Sequence, residues 1–213
     1  MTNARDADER RIEPDERSTF KRRSRASDVQ PVEFALPQRF LIAVAAVLVL
    51  AVTATASQAA RCRGADAQPG HASTRTLDRA TLCLMNAERR AHGRRRLHAS
   101  RALRRAATGF AHTMVRRHFF DHVSPSGSTM MSRVRATSYL HRAGSYSLGE
   151  NIAWGGGSLG TPRAIVRAWM HSAGHRANLL NPRFRHVGVG VAPGVPTPGV
   201  WGGTYVTDFG TRH

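Results

Sequence analysis

Two side chains in this sequence have the chemistry and the setting of a site. Glu150 stands in Gly149-Glu150-Asn151-Ile152-Ala153-Trp154. His175 stands 25 positions later, in Ala173-Gly174-His175-Arg176-Ala177-Asn178-Leu179-Leu180-Asn181-Pro182. Both stretches read as glycine-bounded turns beside apolar, tryptophan-bearing segments, where the backbone bends easily and leaves polar groups uncovered. A carboxylate and an imidazole can exchange a proton near neutral pH, or supply ligands to a divalent cation. Purely structural roles are also open to them. Asn151 and Asn178 suit the satisfaction of buried backbone in turns, and Glu150 could pair with Arg176 or a histidine simply to hold the fold.

The elements that must position these residues follow from periodicity. From residue 76, Leu77, Ala80, Leu84, Ala87 and Ala91 fall on one helical face, with Thr76 as cap and Gly93 as stop. After a short connection over 97–100, Ser100 caps a second helix that buries Leu103, Ala106, Ala107, Phe110 and Met114 and exposes an arginine-rich face. His112 and, further on, Arg133 sit on helical segments and should face solvent or a carboxylate. Phe119 and Phe120 should anchor in the core before the turn Ser124-Pro125-Ser126-Gly127, and Ser128 can cap a third short helix. Residues 139–148 look irregular. Thr161-Pro162 opens a fourth helix, cap then first-turn proline, which turns Ile165, Val166 and Trp169 inward. Valines alternating with glycines over 186–192 and an apolar run over 200–209 read as two strands of a hairpin. Trp154, Trp169 and Trp201 read as core. Helices with a late antiparallel hairpin make an α+β layered domain.

The charge is distributed unevenly. Residues 1–39 carry nine basic and eight acidic side chains, whereas residues 40–213 carry 23 arginines and six acids. A surface that basic attracts polyanions through counterion release, so anionic envelope polymers and lipid head groups are candidate partners. Nucleic acid is disfavoured, because no RRM, zinc-finger or OB-type aromatic pattern interleaves with the arginines. Lys21 is the only lysine, and the arginine excess also fits a GC-rich coding bias.

The chain divides at its one apolar stretch. Residues 1–38 are charged, poor in aromatics and broken by Pro14, Pro31 and Pro37, the composition of a disordered cytoplasmic tail. Residues 39–58 read as a signal peptide or membrane anchor. Within them, 40–56 is seventeen residues without a charge, and basic residues are more numerous before it than after. Ala54-Thr55-Ala56 has the form of a signal-peptidase site. Everything from about residue 57 is therefore expected outside the cytoplasm, secreted or anchored in the plasma membrane. In that oxidising setting Cys62 and Cys83 should form one disulfide, closing a loop of about 20 residues worth roughly 3 kcal/mol. Residues 59–75 read as linker and 76–211 as the folded domain.

Several of these stretches, in this order, resemble the bacterial branch of the CAP superfamily, the SCP-like domains. The matching pieces are Asn86-Ala87-Glu88-Arg89, His122 within Phe-x-His-x-Ser-Pro-x-Gly, the Gly-Glu-Asn-Ile-Ala run, and Trp169-Met170-His171-Ser172 leading into the His175 stretch. Val-Gly-Val-Gly and the closing strand complete the series, from about 76 to 210. The resemblance implies an α–β–α sandwich with a small antiparallel sheet flanked by helices. It also implies a cleft lined by two histidines and two acids. By motif these are His122, His175 and Glu150, while the position of the second acid is Ser172, as in many bacterial members.

His122, His175 and Glu150 would be a three-ligand set for a divalent cation such as zinc, leaving one position open. They lie 28 and 25 residues apart, without the i, i+4 spacing of a zincin helix. As acid–base groups they could instead activate water, Ser124 or Ser172. There is no Gly-x-Ser-x-Gly elbow, and the second acid is missing. The reading is therefore an exported binding or interaction module rather than an enzyme. The alternative is a hydrolase acting on peptide or cell-wall substrates through His122, Glu150 and His175. No apolar cavity signature supports a lipid-binding role.

Overall fold

The computed structural model describes residues 62–213. The expected tail and the signal or anchor segment lie outside the described residues. Among those described, no helix is long and apolar enough to cross a membrane.

Among the described residues, five α-helices surround one sheet: α1 (Thr74–Ala91), α2 (Arg101–Arg117), α3 (Met130–Arg135), α4 (Pro162–His171) and α5 (Ala173–Leu180). The strands are β1 (His98–Ala99), β2 (Tyr146–Gly156), β3 (His186–Pro193) and β4 (Gly202–Arg212), in the spatial order β1-β3-β4-β2. β2, β4 and β3 are antiparallel neighbours, and the two-residue β1 adds a parallel edge. The architecture is α+β, with helices on both faces of the sheet.

Alternation along the strands decides which helix covers which face. Val187, Val189, Val191, Tyr205 and Phe209 point to one side and pack with Leu77, Leu84 and Met85 of α1 and with Ile165, Val166 and Trp169 of α4. Ile152, Ala192 and Val206 point to the other, against Ala107, Phe110, Ala111 and Met114 of α2. Gly188 and Gly190 let α2 lie directly on β3. A Cβ at Gly188 would run into the backbone of Leu103 and Arg104, and one at Gly190 into that of Ala107 and Thr108.

Helix ends follow the cap chemistry, with small shifts. Ser73 rather than Thr76 caps α1, its Oγ accepting from the Thr76 amide at 3.1 Å. Ser100 and Thr161 cap α2 and α4 as expected, whereas Thr129, not Ser128, caps α3. Three readings are corrected. The segment containing Glu150 is an eleven-residue edge strand, because a cross-strand partner on β4 outweighs its glycines. The stretch containing His175 is a helix. The stretch read as linker packs onto the domain from Cys62 onward: Cys62 and Ala65 are buried, and Asp66 pairs with Arg163 at 2.7 Å. The Cys62–Cys83 disulfide is formed and ties this segment to α1.

The aromatic expectations divide. Trp169 is buried, its Nε1 donating to the Ile152 carbonyl at 3.3 Å. Trp201 is 84% exposed and Trp154 is 40% exposed, since both stand where the sheet runs into glycine-rich loops that no other described element covers. Phe119 packs on Phe110 with ring centroids 5.9 Å apart, while Phe120 turns outward.

Candidate functional site

The site forms on the outer edge of the sheet, along β2. Glu150 alternates onto the α2 face, so its carboxylate lies under the loop that follows α2 and beside α3. That carboxylate is buried and fully engaged. His122 Nδ1 donates to Oε1 at 2.8 Å, and Arg133 Nη2 donates to Oε2 at 2.6 Å. Arg133 is itself held by the Ser128 carbonyl at 2.8 Å and the His122 carbonyl at 3.2 Å, with its guanidinium 3.3 Å above the Phe110 ring. Arg133 therefore faces a carboxylate, one of the two outcomes expected for it. The partner considered for Glu150, Arg176, lies elsewhere, with Nη2 at 3.5 Å from His92 Nε2.

A second carboxyl reaches the same place. Asp208 on β4 is directly opposite Glu150 in the strand register and is fully buried. No donor reaches either of its oxygens. Burial, then the neighbouring Glu150 charge and a hydrogen bond to Glu150, hold the Asp208 carboxyl well above the usual carboxylate range, against the opposing pull of Arg133. Asp208 is thus biased toward its neutral form beside Glu150. The sequence carried one signal for it, a single acid within the otherwise uncharged run Tyr205-Val206-Thr207-Asp208-Phe209.

The other half of the site comes round the β2 edge from the opposite face. Ser172 joins α4 to α5, and His175 lies in the first turn of α5 with Nδ1 at 2.9 Å from Ser172 Oγ. Two asparagines dock α5 onto β2. Asn151 Nδ2 donates to the His175 carbonyl at 2.9 Å, and Asn178 Nδ2 donates to the Glu150 carbonyl at 3.1 Å and to Asn151 Oδ1 at 3.0 Å. Gly149 makes this contact feasible, because a Cβ there would press on the Phe184 ring and Asn178 Oδ1. From beneath, Arg89 of α1 donates to the carbonyls of Leu179 and Asn181 at 2.7 and 3.0 Å, fixing the carboxyl end of α5.

The two imidazoles are driven in opposite directions. The hydrogen bond from Glu150 and then its charge raise His122 above the ordinary histidine value. Burial lowers His175, and the nearby charge of His122 lowers it further. The two rings are thus biased in opposite directions, His122 toward its protonated form and His175 toward its neutral form. Ser124 does not join them. Its Oγ is 3.0 Å from Ser126 Oγ and accepts from the Ser128 amide, so it serves the turn.

The expected three-ligand metal set does not fit. Both Glu150 oxygens are already bonded, and among the described residues no three His, Cys, Asp or Glu side chains are gathered to hold a metal ion. Cavities of about 320, 510, 420 and 300 Å³ on the described surface are lined by residues other than His122, Glu150 and His175. What the geometry offers instead is a Glu150 carboxylate that orients His122, with Asp208 opposite it in the register, and His175 bonded to Ser172 on the segment docked to β2 by Asn151.

Comparison with known proteins accords with this arrangement. The family model described as the cysteine-rich secretory protein family, CAP, matches residues 82–205. The uncharacterized protein YkwD of Bacillus subtilis is 35% identical over 118 residues, covering 55% of this chain and 43% of its own length. The uncharacterized membrane protein YlbC of the same organism is 32% identical over 116 residues, covering 54% and 32%. The chain thus spans less than half the length of these curated relatives. An extracellular protein containing an SCP domain from Bacillus anthracis superposes with a TM-score of 0.52 at 26% identity, over 65% of this chain and 43% of that one. An outer surface protein of Borrelia burgdorferi, 20% identical, shares the fold with a TM-score of 0.55 over 67% of this chain and 97% of its own. With the family model spanning more than half of its residues and the motif residues assembled along β2, this chain belongs to the cysteine-rich secretory protein family, CAP.

Proposed function

We propose that this is an extracytoplasmic CAP-domain protein of the cell envelope, secreted or anchored, that works as a binding module. Its ligand contacts are His122 and His175 along the β2 edge, and its arginine-rich surface retains it on anionic envelope polymers. The observation that carries the reading is the engagement of Glu150. A carboxylate bonded on both oxygens, with the buried Asp208 opposite it, orients His122 and is not free to activate water. The extracellular character of the Bacillus anthracis relative and the surface location of the Borrelia protein support the placement outside the cytoplasm.

The test is co-sedimentation of the full chain with an anionic wall polymer at low and high salt. Salt-sensitive retention that weakens further in the His122→Ala, His175→Ala double variant is the expected result. Retention indifferent to salt would contradict the role of the arginines. Retention indifferent to the double variant would remove the two histidines from the contact.

One observation favours a second reading. Ser172 Oγ lies 2.9 Å from His175 Nδ1, and a neutral imidazole at that distance is a general base for a hydroxyl nucleophile. The described residues give His175 no carboxylate partner to orient it as a third member would, which leaves this behind the binding role. Hydrolysis of an ester or peptide probe that disappears in both Ser172→Ala and His175→Ala would establish the hydrolase.

A further inference from the structure

The sheet has a second edge, and a built cavity lies there. β1 covers β3 for only two residues, so beyond Val187 the outer side of β3 is bounded by α1 and the start of α2. Between them is a cavity of about 320 Å³. α1 lines it with Arg75, Asp78 and Arg79, and the first turn of α2 with Arg101 and Arg104, over a floor that includes Val187 and Val189.

Four guanidinium groups share this cavity with a single carboxyl. The carboxyl does not neutralise them. Asp78 is buried, its Oδ1 has no partner, and its one ionic neighbour, Arg104, stands off at 3.8 Å. The guanidinium groups of Arg75, Arg79 and Arg101 make no hydrogen bond or ion pair to another described residue. Several guanidinium groups lining one concave site suit the oxygens of a phosphate, to which they can donate charge-assisted hydrogen bonds. The α2 amino terminus adds to this. Ala99, Ser100 and Arg101 at the helix start line the cavity, and the Ser100 side chain caps the Leu103 amide at 3.3 Å.

We infer that the cavity between Arg75, Arg79, Arg101 and Arg104 is a binding site for a phosphate group, taken as a phosphate monoester or diester. Asp78 lies at its inner wall. Burial pushes its carboxyl up to about 7, so near neutral pH it supplies an O–H to a phosphate oxygen in part of the molecules. The inference rests on the anion-binding part of the proposed function and gives it an address. It does not involve His122 or His175, which stand at the opposite edge of the sheet.

The experiment is isothermal titration of the full chain with inorganic phosphate, with glycerol 3-phosphate and with phosphatidylglycerol vesicles, using phosphatidylcholine vesicles as blank. Saturable one-to-one binding of a soluble phosphate, or saturation by phosphatidylglycerol alone, is expected, and the probe that saturates lowest identifies the source. The variant Arg75→Gln/Arg79→Gln/Arg101→Gln should weaken binding by about tenfold or more, from the loss of three charge-assisted donors. The charge-matched control Arg94→Gln/Arg95→Gln/Arg96→Gln should change it by less than about twofold, as a distant and screened charge does. Asp78→Asn should tighten binding at pH 8, where the native carboxylate repels the ligand. Absence of saturable binding, or equal losses in the two triple variants, would overturn the site. In the second case a diffuse basic surface, and with it the proposed function, would survive.

Discussion

Glu150 and Asp208 stand opposite one another on β2 and β4, side chains on the same face of the sheet, and both are buried. Only six acids follow residue 39, and two of them share this one place. Burial and the neighbouring Glu150 push the Asp208 carboxyl well above the usual carboxylate range, while Arg133 and His122 bond the two oxygens of Glu150. Neutral residues would pack the same space without a desolvation penalty. The pair therefore serves the orientation of His122 more than it serves stability.

Asp208→Asn should remove a pH-dependent weakness. A carboxyl whose folded value lies above its unfolded one favours the fold fully below about pH 4. That contribution is lost as pH rises toward the folded value. Asparagine keeps the shape and an N–H donor toward Glu150 and does not titrate. Thermal unfolding from pH 4 to pH 9 should show the wild-type Tm falling over a range in which the variant stays flatter, with the variant the more stable above pH 7. A variant that loses stability at every pH would mean that Asp208 is ionised and paired.

Glu150→Gln should be costly for the converse reason. It removes the counter-charge of the Arg133 guanidinium, which then faces at most a neutral amide oxygen beside the carbonyls and the Phe110 ring. Breaking a buried pair from one side costs about 3–5 kcal/mol. Urea unfolding at pH 7 measures it, and a loss within about 0.5 kcal/mol, the level of an ordinary surface change, would show that the pair is not buried in solution.

Arg89→Met tests how α1 holds the His175 segment. Arg89 is fully buried without a carboxylate and donates to the carbonyls of Arg95, Leu179 and Asn181. Methionine keeps the stem and abandons those acceptors, at about 1–3 kcal/mol for each group left unsatisfied. Amide exchange should quicken over α5 and the turn at Arg95 before it quickens over the sheet. Uniform acceleration across the domain would mean that Arg89 supports the core at large.

Much of this arrangement was legible in the sequence because its signals are local. Ser100, Thr161 and Pro162 mark helix starts by cap chemistry, and the Val-Gly-Val-Gly alternation marks β3 together with the helix that must lie on it. The family resemblance brought His122, Glu150 and His175 together although nothing in their spacing requires it. What stayed hidden depends on partners distant in the chain. β2 reads as irregular and glycine-broken until β4 pairs with it, and His175 reads as a turn until Arg89 and Asn151 hold a helix there. Asp208 and Arg133 acquire their roles only through Glu150, 58 and 17 residues away. Trp201 was read as core because tryptophan usually is, but the hairpin loop gives it nothing to pack against.

The account turns on His122 and His175 sharing one site under the control of Glu150. Both rings can be followed by NMR titration in the wild type, in His122→Ala and in Glu150→Gln. The expected result is a wild-type His122 titrating above 6.5 and His175 below it, directions set by the Glu150 hydrogen bond and by burial. Removing His122 should raise His175 as the like charge disappears, and Glu150→Gln should lower His122 toward the ordinary value. A His175 titration unmoved by His122→Ala, with His122 unmoved by Glu150→Gln, would contradict the shared site.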